Sequence, residues 1–280
     1  MSAFDPRVTP ARADLAAAVL KGKVSAPRFA EGIAKECAAG AAPIRKNPDA
    51  LAPLETELLF GERFTVYEEK AGWAWGQSGE DHYAGYIESQ KLRAPGPAAT
   101  HRVTALRTFV FPAASVKASP LDSLPMNAKL ALAGTEGAFA KLSVGGFVAA
   151  RHLGALAESA DDFVSVAEMF MAAPYLWGGK TAAGLDCSGL MQTALERCGI
   201  KAPRDTDMQE RDLGKPVPFG ESFRGLRRGD LIFWQGHMGV MRDEATLLHA
   251  NAFHMMVASE PLSEAVRRIG TPVRMVKRLA

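Results

Sequence analysis

The chain has 280 residues, a formal charge of +2 and 23% charged residues. That length holds two or three domains rather than one, and the near-balanced charge lacks the basic footprint of a nucleic-acid binder. No apolar run is long enough to span a bilayer, so neither nucleic acid nor membrane is expected as a partner. Residues 1–48 read as an N-terminal arm with short helices, its apolar runs Leu15 to Val19 and Phe29 to Ile33 set among charged positions. Asp5, Arg7, Arg12 and Asp14 leave no room for a signal-peptide core, and the first cysteine, Cys37, lies too far along for a lipid-attachment site. Three cysteines are an odd count and imply no disulfide framework. A reduced, cytoplasmic protein is the expectation.

Residues 49–93 change texture. Glu57 to Tyr67, Gly72 to Gln77 and Tyr83 to Ile87 are short alternating runs separated by turns rich in Gly, Glu and Asp. Their regular spacing predicts a small β-barrel, and the Gly-Glu, Gly-Trp and Gly-Tyr-Ile pairs resemble those of a bacterial SH3-like domain. Trp73 and Trp75 alternate on one of these strands and are read as barrel core. A Pro/Ala linker is expected at 94–100. Residues 101–156 repeat the pattern more weakly through Leu106 to Phe111, Lys129 to Ala133, Ala138 to Leu142 and Gly146 to Val148. They are expected to form a second, divergent barrel.

The chemistry concentrates in residues 157–280. Tyr175 to Gly189 reads Tyr-Leu-Trp-Gly-Gly-Lys-Thr-Ala-Ala-Gly-Leu-Asp-Cys-Ser-Gly. Leu190, Met191, Ala194, Leu195 and Cys198 follow at helical spacing, which puts Cys187 at a helix start with Asp186 as its N-cap. Unpaired N–H groups and the positive end of the helix dipole favour an anion there, so the thiol pKa is expected to be lowered. Cys198, on the apolar face of the same helix, is expected to pack the core.

A thiol nucleophile needs a base close in space. Leu231 to Trp234, the link Gln235-Gly236, and His237 to Met241 read as a β-hairpin, with Thr246 to Asn251 as the next strand. His237 and His249 therefore fall on neighbouring strands. If His237 faces the cysteine helix, His249 can hydrogen-bond its far ring nitrogen and fix the tautomer, as the third member of a triad does.

Five separated motifs carry a family resemblance: Pro174 to Gly179, Leu185 to Gly189, Gly229 to Leu231, Gly236 to Val240 and Leu248 to Ala250. In order and separation they resemble the NlpC/p60 cysteine peptidases. The resemblance implies an α+β chain: a papain-like catalytic domain, its cysteine helix packed on an antiparallel sheet, preceded by two small SH3-like β-barrels. It also implies Cys187 as nucleophile, His237 as general base and His249 as the orienting residue. The Cys187 N–H and Tyr175 would face the oxyanion, and Asp186 and Ser188 would line the subsite beside the nucleophile.

The two-barrel order and the segment Pro203-Arg204-Asp205 resemble the γ-D-glutamyl-L-diamino-acid endopeptidases of the dipeptidyl-peptidase VI type. Their substrates are murein-derived peptides of the L-Ala-γ-D-Glu-diamino acid kind with a free N-terminal L-Ala. Asp205 would pair with that ammonium, together with Glu57 or Glu62 and the ring of Tyr86. No metal and no cofactor are expected, since the histidines and cysteines lack the short ligand spacings of metal sites, and His254 is read as a loop histidine. An amidase or acyltransferase on the same Cys-His core, or a catalytically silent wall-peptide-binding protein, remains the alternative. The oligomeric state and the diamino acid stay open at this level.

Overall fold

The structure, a computed structural model, describes residues 4–279. The chain divides into two compact units, Met1–Ala157 and Glu158–Ala280.

In the first unit a seven-stranded antiparallel sheet runs in the order Leu54–Leu59, Ala41–Arg45, Ala84–Glu88, Trp73–Ser78, Arg63–Lys70, Ile33–Cys37, Leu92–Arg93. Alternating positions bury Phe64, Val66, Ala74 and Ile87 against Cys37, Ala42, Ile44 and Leu58, the period of two that a half-buried strand demands. The sheet begins at Ile33, upstream of the expected barrel start at residue 49. Ile33–Cys37 shows no apolar alternation because Cys37 alone enters that core, while the buried residue on its other face is Glu36, a carboxylate paired with Arg93 at 2.7 Å. The rest of the arm also packs on this sheet: the Val8 carbonyl accepts from the Gln77 side chain and the Arg7 carbonyl from the Ala84 N–H.

A second core in the same unit gathers Val103, Val110, Leu124, Leu130, Ala140, Leu142 and Val148 between short antiparallel ladders. Phe60, on the turn after Leu54–Leu59, inserts into it. The neighbouring Gly61, at φ 79, lets the chain pass close enough that a Cβ would lie 2.1 Å from the Lys129 carbonyl oxygen.

The second unit combines four helices with one antiparallel sheet. The helices are α1 (Phe163–Glu168), α2 (Cys187–Arg197), α3 (Thr206–Asp212) and α4 (Leu262–Ile269). The sheet order is Lys215–Pro216, Met275–Arg278, Leu231–Trp234, His237–Met241, Thr246–Asn251, Met256–Pro261. This is the expected mixture of cysteine helix and antiparallel sheet.

One face of the sheet buries Ile232, Trp234, Met241, Leu247 and Val276 with Leu262 and Ala265 of α4, while α2 packs on the His237 and His249 strands. The hairpin forms as its sequence predicts: Trp234 pairs with His237 across Gln235-Gly236, with Gly236 at φ 72. Asp230, fully buried, closes the preceding turn through the Arg227 N–H and pins the Arg278 guanidinium at 2.6 and 2.7 Å.

Candidate active site

The site starts from a turn that two glycines make possible. Asp186 caps α2 by accepting from the Gly189 N–H at 2.7 Å, and its other oxygen accepts from the Gly178 N–H at 2.8 Å. The loop and the helix start approach so closely that a Cβ on Gly189 would lie 2.1 Å from the Gly179 carbonyl oxygen. Tyr175 is placed by backbone bonds on both sides. Its N–H donates to the Met255 carbonyl beside the last sheet strand, and Pro174 and Leu176 exchange bonds with Leu185. One extended segment thus links the sheet edge to the cysteine turn.

Cys187, 7% exposed, opens α2 as expected. Its thiol, however, is not lowered. Burial pushes it above the ordinary value and the Asp186 carboxylate adds to that, while the Thr206 hydroxyl (3.6 Å from Sγ), the Met238 backbone amide and Arg204 pull it back. The expectation of a lowered thiol is corrected for a physical reason: desolvation and a neighbouring carboxylate both disfavour the thiolate.

On the facing strands His237 Nε2 lies 2.9 Å from His249 Nδ1, the pairing that strand adjacency predicted. Gly239 makes room for it, since a Cβ there would come within 3.0 Å of the His249 Cβ. Burial lowers His237 to about 3, with His249 and Arg268 adding to the effect. Burial also lowers His249, to about 4, against the opposing hydrogen bond and charge of Glu260. Both imidazoles are therefore neutral at pH 7. The Tyr175 phenol is pushed up to about 12 by burial and by Cys187 and Asp186, so it keeps its proton and remains a donor.

The other expected binding residues are distributed differently. Asp186 and Ser188, 7% and 4% exposed, direct their polar atoms inward. Arg204, 1% exposed, grips both Asp186 oxygens at 2.9 and 2.7 Å and the Ser188 hydroxyl at 2.9 Å. Both residues are thus tied to the helix start through the arginine. Asp205 is half-buried at the N-cap position of α3, without capping that helix through its side chain.

The remaining three candidates belong to the first unit. Glu62 is 0% exposed, and its carboxylate accepts from the Leu59 N–H at 2.8 Å within its own turn. That bond ties one carboxylate oxygen to its own turn. Glu57 is half-buried on its strand, opposite Pro43. The Tyr86 hydroxyl accepts from Arg12 at 2.9 Å, and that guanidinium lies 4.4 Å from the Trp75 ring centre.

Three residues near the thiol and imidazoles carried no sequence signal of their own: Arg204, Thr206 and Glu260. Arg204 stood inside a quoted motif, but nothing in a sequence marks an arginine as buried. Glu260 accepts from His249 Nε2 at 2.9 Å and also pairs with Arg268. Ligand atoms of His249, His254 and Glu260 lie within 4.8 Å of one another, yet each is committed elsewhere. Arg268 already supplies the positive charge beside Glu260, and His254 Nδ1 is bonded to Asn251 Oδ1. Within the cluster His249 and Glu260 are bonded to each other, and His254 is bonded to Asn251.

A helix-borne thiol set against paired imidazoles on an antiparallel sheet is the arrangement of a thiol hydrolase. Residues 172–268 match the NlpC/P60 family and residues 44–92 match the bacterial dipeptidyl-peptidase Sh3 domain. The chain is 28% identical over 249 residues to the gamma-D-glutamyl-L-lysine dipeptidyl-peptidase of Bacillus subtilis, covering 77% of this chain and 81% of that one. It is 26% identical to the Bacillus cereus protein of the same name, covering 75% and 71%. In fold it resembles the crystal structure of an NlpC/P60 family protein from Bacillus cereus, with a TM-score of 0.72, 21% identity, and 88% and 99% of the two chains covered. The chain thus carries an NlpC/P60 domain and a bacterial SH3 domain, is homologous to these dipeptidyl-peptidases, and is a hydrolase of the cysteine-peptidase kind. Among the described residues no helix is long and apolar enough to cross a membrane.

Proposed function

We propose that this enzyme cleaves the γ-D-Glu–L-diamino acid bond of murein-derived peptides bearing a free N-terminal L-Ala. The observation that carries the reading is the Cys187 thiol at the start of α2, packed on the strands that hold the bonded His237–His249 pair. Similarity to named γ-D-glutamyl-L-lysine dipeptidyl-peptidases over three quarters of the chain supports the substrate class.

His237 Nε2 is taken by His249, so Nδ1 is the nitrogen that exchanges protons with the thiol. The thiol and imidazole rest neutral, and proton transfer accompanies attack. The sulfur bonds to the γ-carbonyl carbon as Nδ1 takes the thiol proton. The oxyanion meets the Cys187 N–H, one of the first-turn donors a helix leaves unpaired, and the Tyr175 hydroxyl. Collapse breaks the C–N bond, and the imidazolium protonates the departing amine. His237 then takes a proton from water, the hydroxide attacks the thioester, and the thiol is regenerated with its proton. Acid–base catalysis of this kind contributes about 10²- to 10⁴-fold. Asp205 supplies the carboxylate for the substrate ammonium, and an N-acylated substrate would leave it unpaired.

The test is mass spectrometry of products from L-Ala-γ-D-Glu-meso-diaminopimelate and its N-acetylmuramyl counterpart, with Cys187→Ala as control. Release of L-Ala-D-Glu from the free peptide alone is expected, with none from the variant. Hydrolysis by Cys187→Ala would remove the cysteine mechanism, and cleavage of both peptides would remove the amine requirement.

A further inference from the structure

We propose that Glu260 is a positioning residue: as the terminal acceptor of the chain Glu260–His249–His237, it dictates which nitrogen of His237 is free to take the thiol proton. This rests on the catalytic reading of His237 given above. Glu260 sits near the end of the strand Met256–Pro261, two residues beyond the partner of His249, Ala258. Its Oε1 lies 2.9 Å from His249 Nε2, and His249 Nδ1 lies 2.9 Å from His237 Nε2. Among the described residues, Glu260 is the group that His249 Nε2 meets. The nearby His254 turns its Nδ1 to Asn251, 6.4 Å separating its ring centre from that of His249.

The direction of the chain follows from donor and acceptor inventory alone. A carboxylate oxygen can only accept, so His249 Nε2 must carry the hydrogen. A neutral imidazole has one N–H, which leaves His249 Nδ1 as an acceptor. His237 Nε2 must then donate to it, and His237 Nδ1 is left with its lone pair. A donor in place of Glu260 would reverse every link and put a hydrogen on the nitrogen that has to act as base. Neither imidazole can make that choice by itself, because a histidine pair bonds equally well in either sense.

Glu260 is itself held in place. It is only half-buried and could otherwise turn outward, but Arg268 of α4 pairs with the same Oε1. The Arg268 guanidinium in turn lies 4.4 Å from the Phe253 ring centre. Among the described residues, the charged groups acting on the imidazole pair are Glu260 and Arg268, with His254 as a titratable neighbour, and α2, which carries the Cys187 thiol, packs on both strands.

Two substitutions in the full-length protein separate acceptor from charge. Glu260→Leu removes the acceptor, whereas Glu260→Gln retains an oxygen for His249 and Arg268 and removes the charge. A wrong tautomer next to the nucleophile costs about 10⁴-fold, and Glu260 acts one ring further out, so Glu260→Leu is expected to lower kcat by about ten- to a hundredfold. KM should stay within about twofold, since a residue remote from substrate alters the chemical step. In ¹⁵N-histidine NMR spectra the Nε2–H signature of His249 should give way to mixed tautomers. Glu260→Gln is expected to retain the wild-type tautomers, with the acid limb of the kcat profile moved to lower pH because the imidazolium has lost its carboxylate.

Wild-type kcat and unchanged ¹⁵N shifts in Glu260→Leu would overturn the proposal. So would wild-type ¹⁵N spectra that place the hydrogen on His249 Nδ1, which decide the matter alone if the leucine variant does not fold. Cys187→Ala in the same assay keeps the two readings apart. Turnover by that variant sinks the cysteine mechanism, whereas a dead Cys187→Ala beside wild-type-like Glu260 variants sinks only the role of Glu260.

Discussion

Arg204→Met is the perturbation that reaches stability and reactivity at once. Arg204 is 1% exposed and holds Asp186 through two bonds of 2.9 and 2.7 Å, with further bonds to the Ser188 hydroxyl and the Gly179 carbonyl. Methionine fills a comparable volume and leaves Asp186 without its counter-ion. Breaking a buried pair from one side costs about 3–5 kcal/mol, against about 0–1 kcal/mol for an exposed pair. Asp186 keeps the Gly178 and Gly189 N–H groups and the Ser188 hydroxyl, so the lower end, about 3 kcal/mol, is expected.

At a few degrees per kcal/mol, that lowers Tm by roughly 10 °C. The thiol responds as well. Arg204 pulls the Cys187 pKa down while Asp186 pushes it up, so the variant should be alkylated by iodoacetamide more slowly at pH 8. Asp186→Asn combined with Arg204→Met removes both charges and should recover part of the Tm and of the alkylation rate. Thermal unfolding and site-resolved alkylation measure the two effects. A single variant within about 2 °C of wild type, or one alkylated at the wild-type rate, would show that Arg204 is not the counter-ion its geometry implies.

Gly189→Ala sets two effects against each other. Helix propensity alone favours alanine by about 1 kcal/mol, but the new Cβ would lie 2.1 Å from the Gly179 carbonyl oxygen, and backbone cannot yield as a flexible side chain can. A net loss of at least about 1–3 kcal/mol is expected, and a rise in Tm would refute the close approach. Acid unfolding supplies another check. His237 and His249 have folded-state pKa values lowered to about 3 and about 4, below the ordinary 6.5. The unfolded chain therefore binds more protons between those limits. Stability from this source is complete above pH 6.5 and is lost as pH falls, by about 3 kcal/mol per pH unit for two histidines between pH 6 and 4. Denaturant titrations across that range should show His249→Gln reducing the slope by about half, and an unchanged slope would mean the imidazoles are not held neutral by the fold.

What a reader of the sequence could see was local. Asp186 as N-cap, α2 opening at Cys187, the two-residue hairpin before His237 and the adjacency of His249 each follow from spacing within a few residues. The strand Ile33–Cys37 has no legible pattern because its two buried residues are adjacent, and one is a carboxylate whose partner, Arg93, is remote in sequence. Arg204 and Glu260 escaped for a related reason: each matters through a contact that exists only after the chain has folded. The direction of the thiol shift was misjudged because the helix start was weighed without the desolvation around it.

The strand Met275–Arg278 occupies an interior place in its sheet, between Lys215–Pro216 and Leu231–Trp234, and Arg278 locks onto Asp230. One flank of Leu231–Trp234 can pair only once Met275–Arg278 has been made and has left the ribosome. The complete sheet of the peptidase unit therefore needs a strand that lies far beyond the cysteine helix in the chain. A stalled ribosome a few codons short of that point would hold a nascent chain whose nucleophile has been made but has no completed sheet to work against.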